Sequence, residues 1–434
     1  MSDAVLFCLL RALKVRFCLE EVEILFAHLS SVYNIYIQNG FPLYGTKMAH
    51  YDLPLRGVTV IEFCSVAAGP FCGMLLADMG ADVIKVEPPG GDTLRQWPPL
   101  TDGFSENFAS LNRNKMSIVL DLKDPSDRHL AQNLIDSADV VIENNRPGVM
   151  DRLGLGAADM RRSHPELIYC SMSAFGASGP RAKQGGFDVT LQAISGIMSV
   201  TGEADGAPVK CGVPVSDFAT GLYAAYTIAT LIARVRAGGD GGVLDISMMG
   251  SSLGIAALQT SEYFGRGIDP VRLGSAHPRN APYSAFLSQD VHFVIAAGND
   301  RLWKKVCDVV DMPQLVNDPR FATTSDRAAN QSELAAILNN VFRSAPAEAW
   351  LDQFEVAGVP CAPINTYSRA LADPQVEAMG WIEEISLPGG QTTRHFGFPV
   401  RVDGNRLPIR RMPPALDGDR AEILQRIGRS NSQF

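Results

Sequence analysis

Two aspartates stand where a carboxylate can do chemistry. Asp217 lies in Cys211-Gly-Val-Pro-Val-Ser-Asp217-Phe-Ala-Thr-Gly-Leu-Tyr, where a strand-like apolar run ends and a long apolar helix begins. Asp188 closes Gly185-Gly-Phe-Asp188, just ahead of an apolar helix predicted over Val189–Met198. Aspartate is a preferred N-cap and the helix dipole favours its charge, so local sequence alone favours a cap at each position. The same placement suits a nucleophile. An ordinary aspartate is ionised at neutral pH and can attack a thioester without help from a base. Basic residues recur near predicted strand ends, at Arg95, Arg113, Lys115, Lys123 and Arg152. Strand ends are where an open α/β sheet binds its ligands, and a phosphate-rich ligand would use such a set. Any one of them, taken alone, reads as a solvated surface residue.

Other chemistries find less support. The seven histidines show no metal-ligand spacing and the eight cysteines include no C-x-x-C pair, so neither a metal centre nor a disulfide framework is expected. His277 falls in a loop of tight turns, where a turn histidine is the default. Ser173-Ala-Phe-Gly-Ala-Ser178-Gly lacks the spacing of a nucleophile elbow. Ala67-Ala-Gly-Pro-Phe-Cys-Gly73 lacks the glycines of a dinucleotide fingerprint, and Gly69 and Gly73 read better as points of close helix–sheet packing.

The elements that must position these residues alternate. Strands are predicted at Val58–Phe63, Asp82–Glu87, Ser117–Asp121, Asp139–Glu143, Leu167–Ser171 and Val243–Met248. Helices are predicted from Pro70 to Gly80, over Ser126–Ser137 and over Asp217–Arg236. Such alternation implies an α/β fold with a parallel sheet covered on both faces. Beyond about residue 270 the texture changes to a hairpin (Tyr283–Phe286, His292–Ala297) and helices at Leu302–Val310, Ser332–Phe342 and Pro346–Ala357. The expected organisation is a large domain over 53–245 to which 395–434 returns, a linker over 246–272, and a smaller α+β domain over 273–394. Residues 1–52, with short apolar bursts broken by charges, are expected to form an appendage outside the fold.

The chain has 434 residues and a net charge of −9, which argues against a nucleic-acid partner because such a surface must be basic. No apolar run approaches the length that spans a bilayer, so no membrane partner is expected. Free thiols in a large core fit a reducing, cytoplasmic setting.

Eight stretches in order resemble the class III CoA-transferases and their sister, alpha-methylacyl-CoA racemase. They are Leu55-Arg-Gly-Val-Thr-Val-Ile-Glu-Phe, Leu76-Ala-Asp-Met-Gly-Ala-Asp-Val-Ile-Lys-Val-Glu87, Asn112-Arg-Asn-Lys-Met-Ser-Ile and Glu143-Asn-Asn-Arg-Pro-Gly148. Gly186-Phe-Asp188, Val215-Ser-Asp217, His277-Pro and Gly358-Val-Pro-Cys-Ala-Pro-Ile-Asn365 follow. The resemblance implies a Rossmann-like large domain, a small domain, and two chains threaded as interlocked rings. It implies a nucleophile at Asp217 and an acyl-site carboxylate at Asp188. It implies coenzyme A contacts at Asn144, Arg152, Lys123 and the Arg113–Lys115 stretch, with CoA esters as substrates and no tightly bound cofactor.

In the implied chemistry, Asp217 attacks a donor acyl-CoA and gives a mixed anhydride plus CoA thiolate. The thiolate returns to the aspartyl carbonyl and forms an aspartyl-CoA thioester, and the acceptor acid reverses the sequence. The racemase has a His–Asp pair at the positions of Phe187 and Asp188, and Phe187 carries no proton, so transfer is favoured over racemisation. Three departures bear on the substrate. Ala67 replaces the glutamine of formyl-CoA transferase, Pro88 replaces a CoA-binding arginine, and that enzyme's glycine-rich lid has no counterpart around 255–285. The expectation is therefore succinyl-CoA as donor and a short dicarboxylate as acceptor, with Arg279 or His277 as a grip for the distal carboxylate. A CoA-dependent racemase or isomerase, or a non-catalytic acyl-CoA-binding protein, are the alternatives.

Overall fold

The computed structural model describes residues 53–430, so the expected appendage over 1–52 lies outside the described residues. The described residues open with β1 (Thr59–Phe63), α1 (Ala68–Asp78) and β2 (Asp82–Glu87), followed by α2 (Glu106–Asn112) and β3 (Lys115–Val119). Next come α3 (Pro125–Asp136), β4 (Val140–Glu143) and β5 (Ile168–Ser173). The short α4 (Asp188–Ile194), the long α5 (Val215–Arg236) and β6 (Gly242–Ser247) complete the sheet unit. All six strands are parallel, in the order β3-β2-β1-β4-β5-β6. This is the doubly wound order, with its switch point between β1 and β4.

The strands carry apolar side chains to both faces, as buried parallel strands do. Ile61, Ile84, Ile118 and Val141 face one core, which α3 and the C-terminal helix cover through Leu134 and Ile423. Val60, Val83, Ile142 and Ile168 face the other, covered by Leu76 of α1 and Ala224 and Ile228 of α5. The period of two along each strand sorts neighbours to opposite sides.

Gly69 and Gly73 mark close approach, as their sequence suggested. A Cβ at Gly69 would stand 2.4 Å from Cys64 Cβ, and one at Gly73 would stand 2.0 Å from Glu62 Oε2 on β1. Gly221 does the same between helices, since a Cβ there would meet Ala68 O at 2.7 Å. That contact seats α5 on the first turn of α1. By length and composition α5 could cross a membrane, contrary to the expectation that no run is long enough. In the fold one side of it forms part of the core, while Leu222, Tyr223 and Tyr226 on the other side are exposed.

After α6 (Met248–Ile255) and α7 (Ala257–Arg266), β7 (Tyr283–Leu287), β8 (His292–Ala296) and, further on, β9 (Cys361–Pro363) make a three-stranded antiparallel sheet. It packs on α8 (Asp300–Val309), α9 (Gln331–Phe342) and α10 (Ala347–Ala357) around Trp303, Phe342 and Phe354. The hairpin of β10 (Ile382–Ser386) and β11 (Thr392–Phe396) lies against the sheet unit instead, where Ile385 and Leu387 cluster with Ala109 of α2. The last element among the described residues is α11 (Arg420–Ser430), and the approach to it covers the edge strand β3. Asp419 accepts the Ser117 amide at 2.9 Å and Asp417 accepts the Val119 amide at 2.8 Å.

Candidate active site

The switch point holds a cavity of about 650 Å³. The turn Ser65–Ala68 after β1, the turn Asn144–Pro147 after β4, the Gly185–Phe187 turn and Asp217 all border it. Crevices at the carboxyl ends of parallel strands, where the strand order reverses, are where doubly wound sheets bind ligands. Asn144 ties the two strand ends together. Its side chain accepts the Ser65 amide at 3.0 Å and donates to the Ser65 carbonyl at 2.8 Å.

Asp217 does not cap its helix. The helix begins at Val215, two residues earlier than the sequence suggested, and Asp217 lies within the first turn. The capping is done from elsewhere. Asp188 Oδ1 accepts the Ser216 amide at 2.9 Å, and its Oδ2 accepts from Gln192 Nε2 at 2.6 Å. Asp188, at the first position of α4, therefore satisfies an orphan amide of α5. Gln192 extends the strap by accepting the Cys211 amide at 2.8 Å. Below, Ser252 Oγ of α6 donates to Ser216 Oγ at 2.8 Å.

Burial, and then the neighbouring Asp188 charge, push the Asp217 carboxyl up to about 7. The expectation of an ordinary, fully ionised aspartate is thus corrected. Desolvation and a second carboxylate outweigh the pull of the helix N-terminus. A carboxylate of raised basicity is also the stronger nucleophile once its proton is lost. Phe187 borders the cavity and is 75% exposed.

The basic residues divide. Arg113 is buried, with Nη2 2.6 Å and Nε 3.0 Å from the Asp78 carboxylate, and it donates to the Phe396 carbonyl. Lys115 is buried with Nζ 2.8 Å from Glu62 Oε2 and 2.8 Å from the Pro70 carbonyl. Burial holds its pKa below the ordinary lysine value. Neither can reach a phosphate in solvent, so the expected coenzyme A contacts at Arg113 and Lys115 are corrected. The reason is where the strand begins. β3 starts at Lys115 rather than Ser117, so Lys115 is a sheet residue paired with Val83 beside Glu62, and Arg113, just after α2, is taken up by Asp78. Lys123, after β3, and Arg152, in the short helix Val149–Arg152 after β4, are exposed.

Arg95 is likewise engaged, forked onto Glu87 with both contacts at 2.7 Å and 3.7 Å above the Phe108 ring. The network continues through Lys85, whose Nζ lies 2.9 Å from Glu62 and 3.0 Å from Asp92. Burial alone would lower Lys85, but Glu62, Asp92 and Glu87 outweigh it and hold its pKa up. Asp92 reaches the cavity turn by accepting the Val66 amide at 3.2 and 3.3 Å. Val66 is held at φ +66°, a region that β-branched residues rarely enter.

His277 is a turn residue, as its local sequence suggests. Its Nδ1 accepts the Arg279 and Asn280 amides at 3.1 Å, and Arg279 pairs with Glu262 at 2.9 Å. Neither borders the cavity. Among the described residues, the cations that do are Arg146 and Arg181, neither of them among the expected ligand residues. Arg146 lies inside the quoted stretch Glu143-Asn-Asn-Arg-Pro-Gly148. Its place after a strand at the switch point was the available signal.

Over residues 55–420 the chain matches the model of CoA-transferase family III. It is 36% identical over 390 residues to the succinate–glutarate CoA-transferase of Agrobacterium fabrum, covering 88% of this chain and 98% of that protein. It is 40% identical over 377 residues to the acetyl-CoA:oxalate CoA-transferase of Acetobacter aceti, covering 85% and 95%. Among solved structures, a CAIB/BAIF family protein from Brucella suis superposes with a TM-score of 0.76 at 38% identity, covering 86% of this chain and 99% of that one. The chain belongs to CoA-transferase family III. It is an enzyme that transfers coenzyme A, with CoA thioesters as its substrates.

Proposed function

We propose that this enzyme moves coenzyme A from succinyl-CoA to a short free dicarboxylic acid through Asp217. The observation that carries this is the Asp217 carboxyl, set in the wall of the switch-point cavity and made more basic by burial and by Asp188. Asp217 attacks the thioester carbonyl, and its oxygen–carbon bond forms as the sulfur–carbon bond breaks. The CoA thiolate leaves and then attacks the aspartyl side of the mixed anhydride, which releases the donor acid. The aspartyl-CoA thioester so formed passes CoA to the acceptor by the same two steps in reverse. Asp188, with both oxygens engaged, positions the first turn of α5 and keeps Asp217 basic.

Asn144, which borders the cavity, and Arg152 and Lys123, exposed after the carboxyl ends of β4 and β3, are proposed to contact coenzyme A. A dicarboxylate acceptor is supported by the glutarate activity named for the Agrobacterium relative and the oxalate activity named for the Acetobacter one. Proton abstraction from the acyl group has weaker support. Phe187 carries no proton, and among the described residues Asp217 is the one carboxylate in the cavity wall.

We further propose an interlocked homodimer in the cytoplasm. Leu222 and Tyr226 of α5 and Phe264 of α7 are 54%, 71% and 82% exposed, an apolar surface of the kind that partners cover.

The test is to mix the enzyme with succinyl-CoA and glutarate, itaconate, mesaconate, citramalate, oxalate or carnitine, and to look for new CoA esters by mass spectrometry. An ester that forms with the native chain and is lost in Asp217→Asn is expected. An ester that survives the substitution removes Asp217 as the nucleophile.

A further inference from the structure

Among the described residues, the charged side chains around the cavity are Asp217, Arg146 and Arg181. Deeper in this half of the molecule, Lys85, Arg95, Arg113 and Lys115 are neutralised by carboxylates. Arg146 and Arg181, exposed at the cavity, form no ion pair among the described residues. Arg146 has no side-chain hydrogen bond or ion pair among the described residues. A Cβ built on Gly185 would lie 3.4 Å from Arg146 Nη2 and 3.7 Å from both Cζ and Nε. Three nearly equal distances mean that the flat face of the guanidinium covers the glycine, which leaves its edge of N–H donors free. Arg181 is held by one weak and one polar contact. Its Nη1 donates to Gln184 Oε1 at 3.0 Å, and its Cζ stands 5.7 Å from the centre of the Phe175 ring. Gln184 and Phe175 border the same cavity. Both guanidinia are therefore placed by cavity residues and retain unused donors.

No hydrogen bond or ion pair joins either arginine to Asp217 among the described residues, and the Asp217 carboxyl is pushed up by burial and then by Asp188. The cavity thus has an acid at one place and two unneutralised cations at another. A monocarboxylate fills only the first place. An acid with a second carboxylate fills both, and a guanidinium fork matches a carboxylate edge in two parallel hydrogen bonds.

We propose that Arg181, seconded by Arg146, receives the distal carboxylate of the acid being activated, and so sets the preference for dicarboxylates over monocarboxylates of the same length. The proposal rests on the transfer function above and replaces Arg279 and His277 in that role. The other anion these cations could hold is a phosphate of coenzyme A, and the experiment separates the two.

The kcat/KM ratio for glutarate over valerate would be measured with the full chain, its Arg181→Met and Arg146→Met variants and the double variant, with succinyl-CoA and with acetyl-CoA as donor. Affinities for coenzyme A and for 3′-dephospho-CoA would be measured by calorimetry on the same proteins. Both side chains are exposed, and thermal melting would check that each variant is folded. The ratio is expected to fall about 10- to 100-fold in Arg181→Met, the loss of a charged hydrogen-bonded pair, and further in the double variant, with coenzyme A affinity unmoved. A ratio that holds while coenzyme A affinity drops would overturn the proposal and make Arg181 a phosphate ligand. A ratio that holds with no change in affinity overturns it too, while leaving the transfer function intact. No transfer to any acid by the native chain removes both.

Discussion

The two sides of the Ser65–Ala68 turn handle charge in opposite ways. Behind it, Glu62, Lys85, Glu87, Asp92, Arg95 and Lys115 form a network with three charges of each sign, all nearly excluded from water. In front of it, Asp217, Arg146 and Arg181 border a cavity without neutralising one another. A buried charge with partners holds backbone in place. A charge left without a partner is free to act on what enters. The turn between them joins the two roles, since the Asp92 that pairs with Lys85 also holds the Val66 amide at the cavity wall.

The contrast breaks most visibly at Asp217. Asp217→Asn should lower CoA transfer by about 10⁴-fold or more, as loss of a nucleophile does, when initial rates are compared by mass spectrometry. Its folding stability should not fall. A carboxyl whose folded pKa is raised contributes stability below its unfolded value, and that contribution is lost as pH rises towards 7. Asp217→Asn should therefore match the native chain near pH 4 and exceed it near pH 8 in urea unfolding. A variant less stable at pH 8 would show that the carboxylate is held by contacts rather than strained by burial.

Lys85→Met tests the other side and should cost about 3–5 kcal/mol, because it leaves Asp92 buried without its cation and Glu62 with Lys115 alone. A midpoint of denaturation close to that of the native chain would mean that the network is less closed to water than its geometry implies. On pH, kcat/KM should rise through about 7 and level off above it as Asp217 loses its proton. A rate already flat at pH 5 would show that the carboxyl has an ordinary acidity. The smallest effect belongs to the turn. Val66→Gly removes a strained residue but loosens the backbone, so stability should move by no more than about 1 kcal/mol. Its kcat should nevertheless fall, because the cavity wall is less well fixed. An unchanged kcat would sever the network from the site.

The sheet was legible in the sequence because strands buried on both faces are short apolar runs, and all six can be seen as such. The second core was legible through its hairpin and three helices. The state of the charges was not. Lys115 and Lys123 look alike in the chain, yet one begins a strand and faces Glu62 while the other lies exposed beyond the strand's end. Only the register of β3 against β2 separates them, and that is a property of two segments. Asp217 and Asp188 both looked like caps of their own helices. The amide that Asp188 satisfies belongs to Ser216, 28 residues away, so no local pattern carries it. Arg146 and Arg181 stood in plain view, but whether an arginine is neutralised depends on which carboxylates fold beside it.

The covering of β3 by Asp417 and Asp419 has a consequence for how the protein is made. Those bonds join residues 298 and 302 positions apart. A ribosome delivers β3 long before it delivers the two aspartates. Until then the strand presents open amides, the surface on which strands of other nascent chains can add. The sheet is sealed only after the segment that carries Asp417 and Asp419 has emerged. A premature stop before residue 417 would spare every residue around the cavity, and its product should still be found in the insoluble fraction.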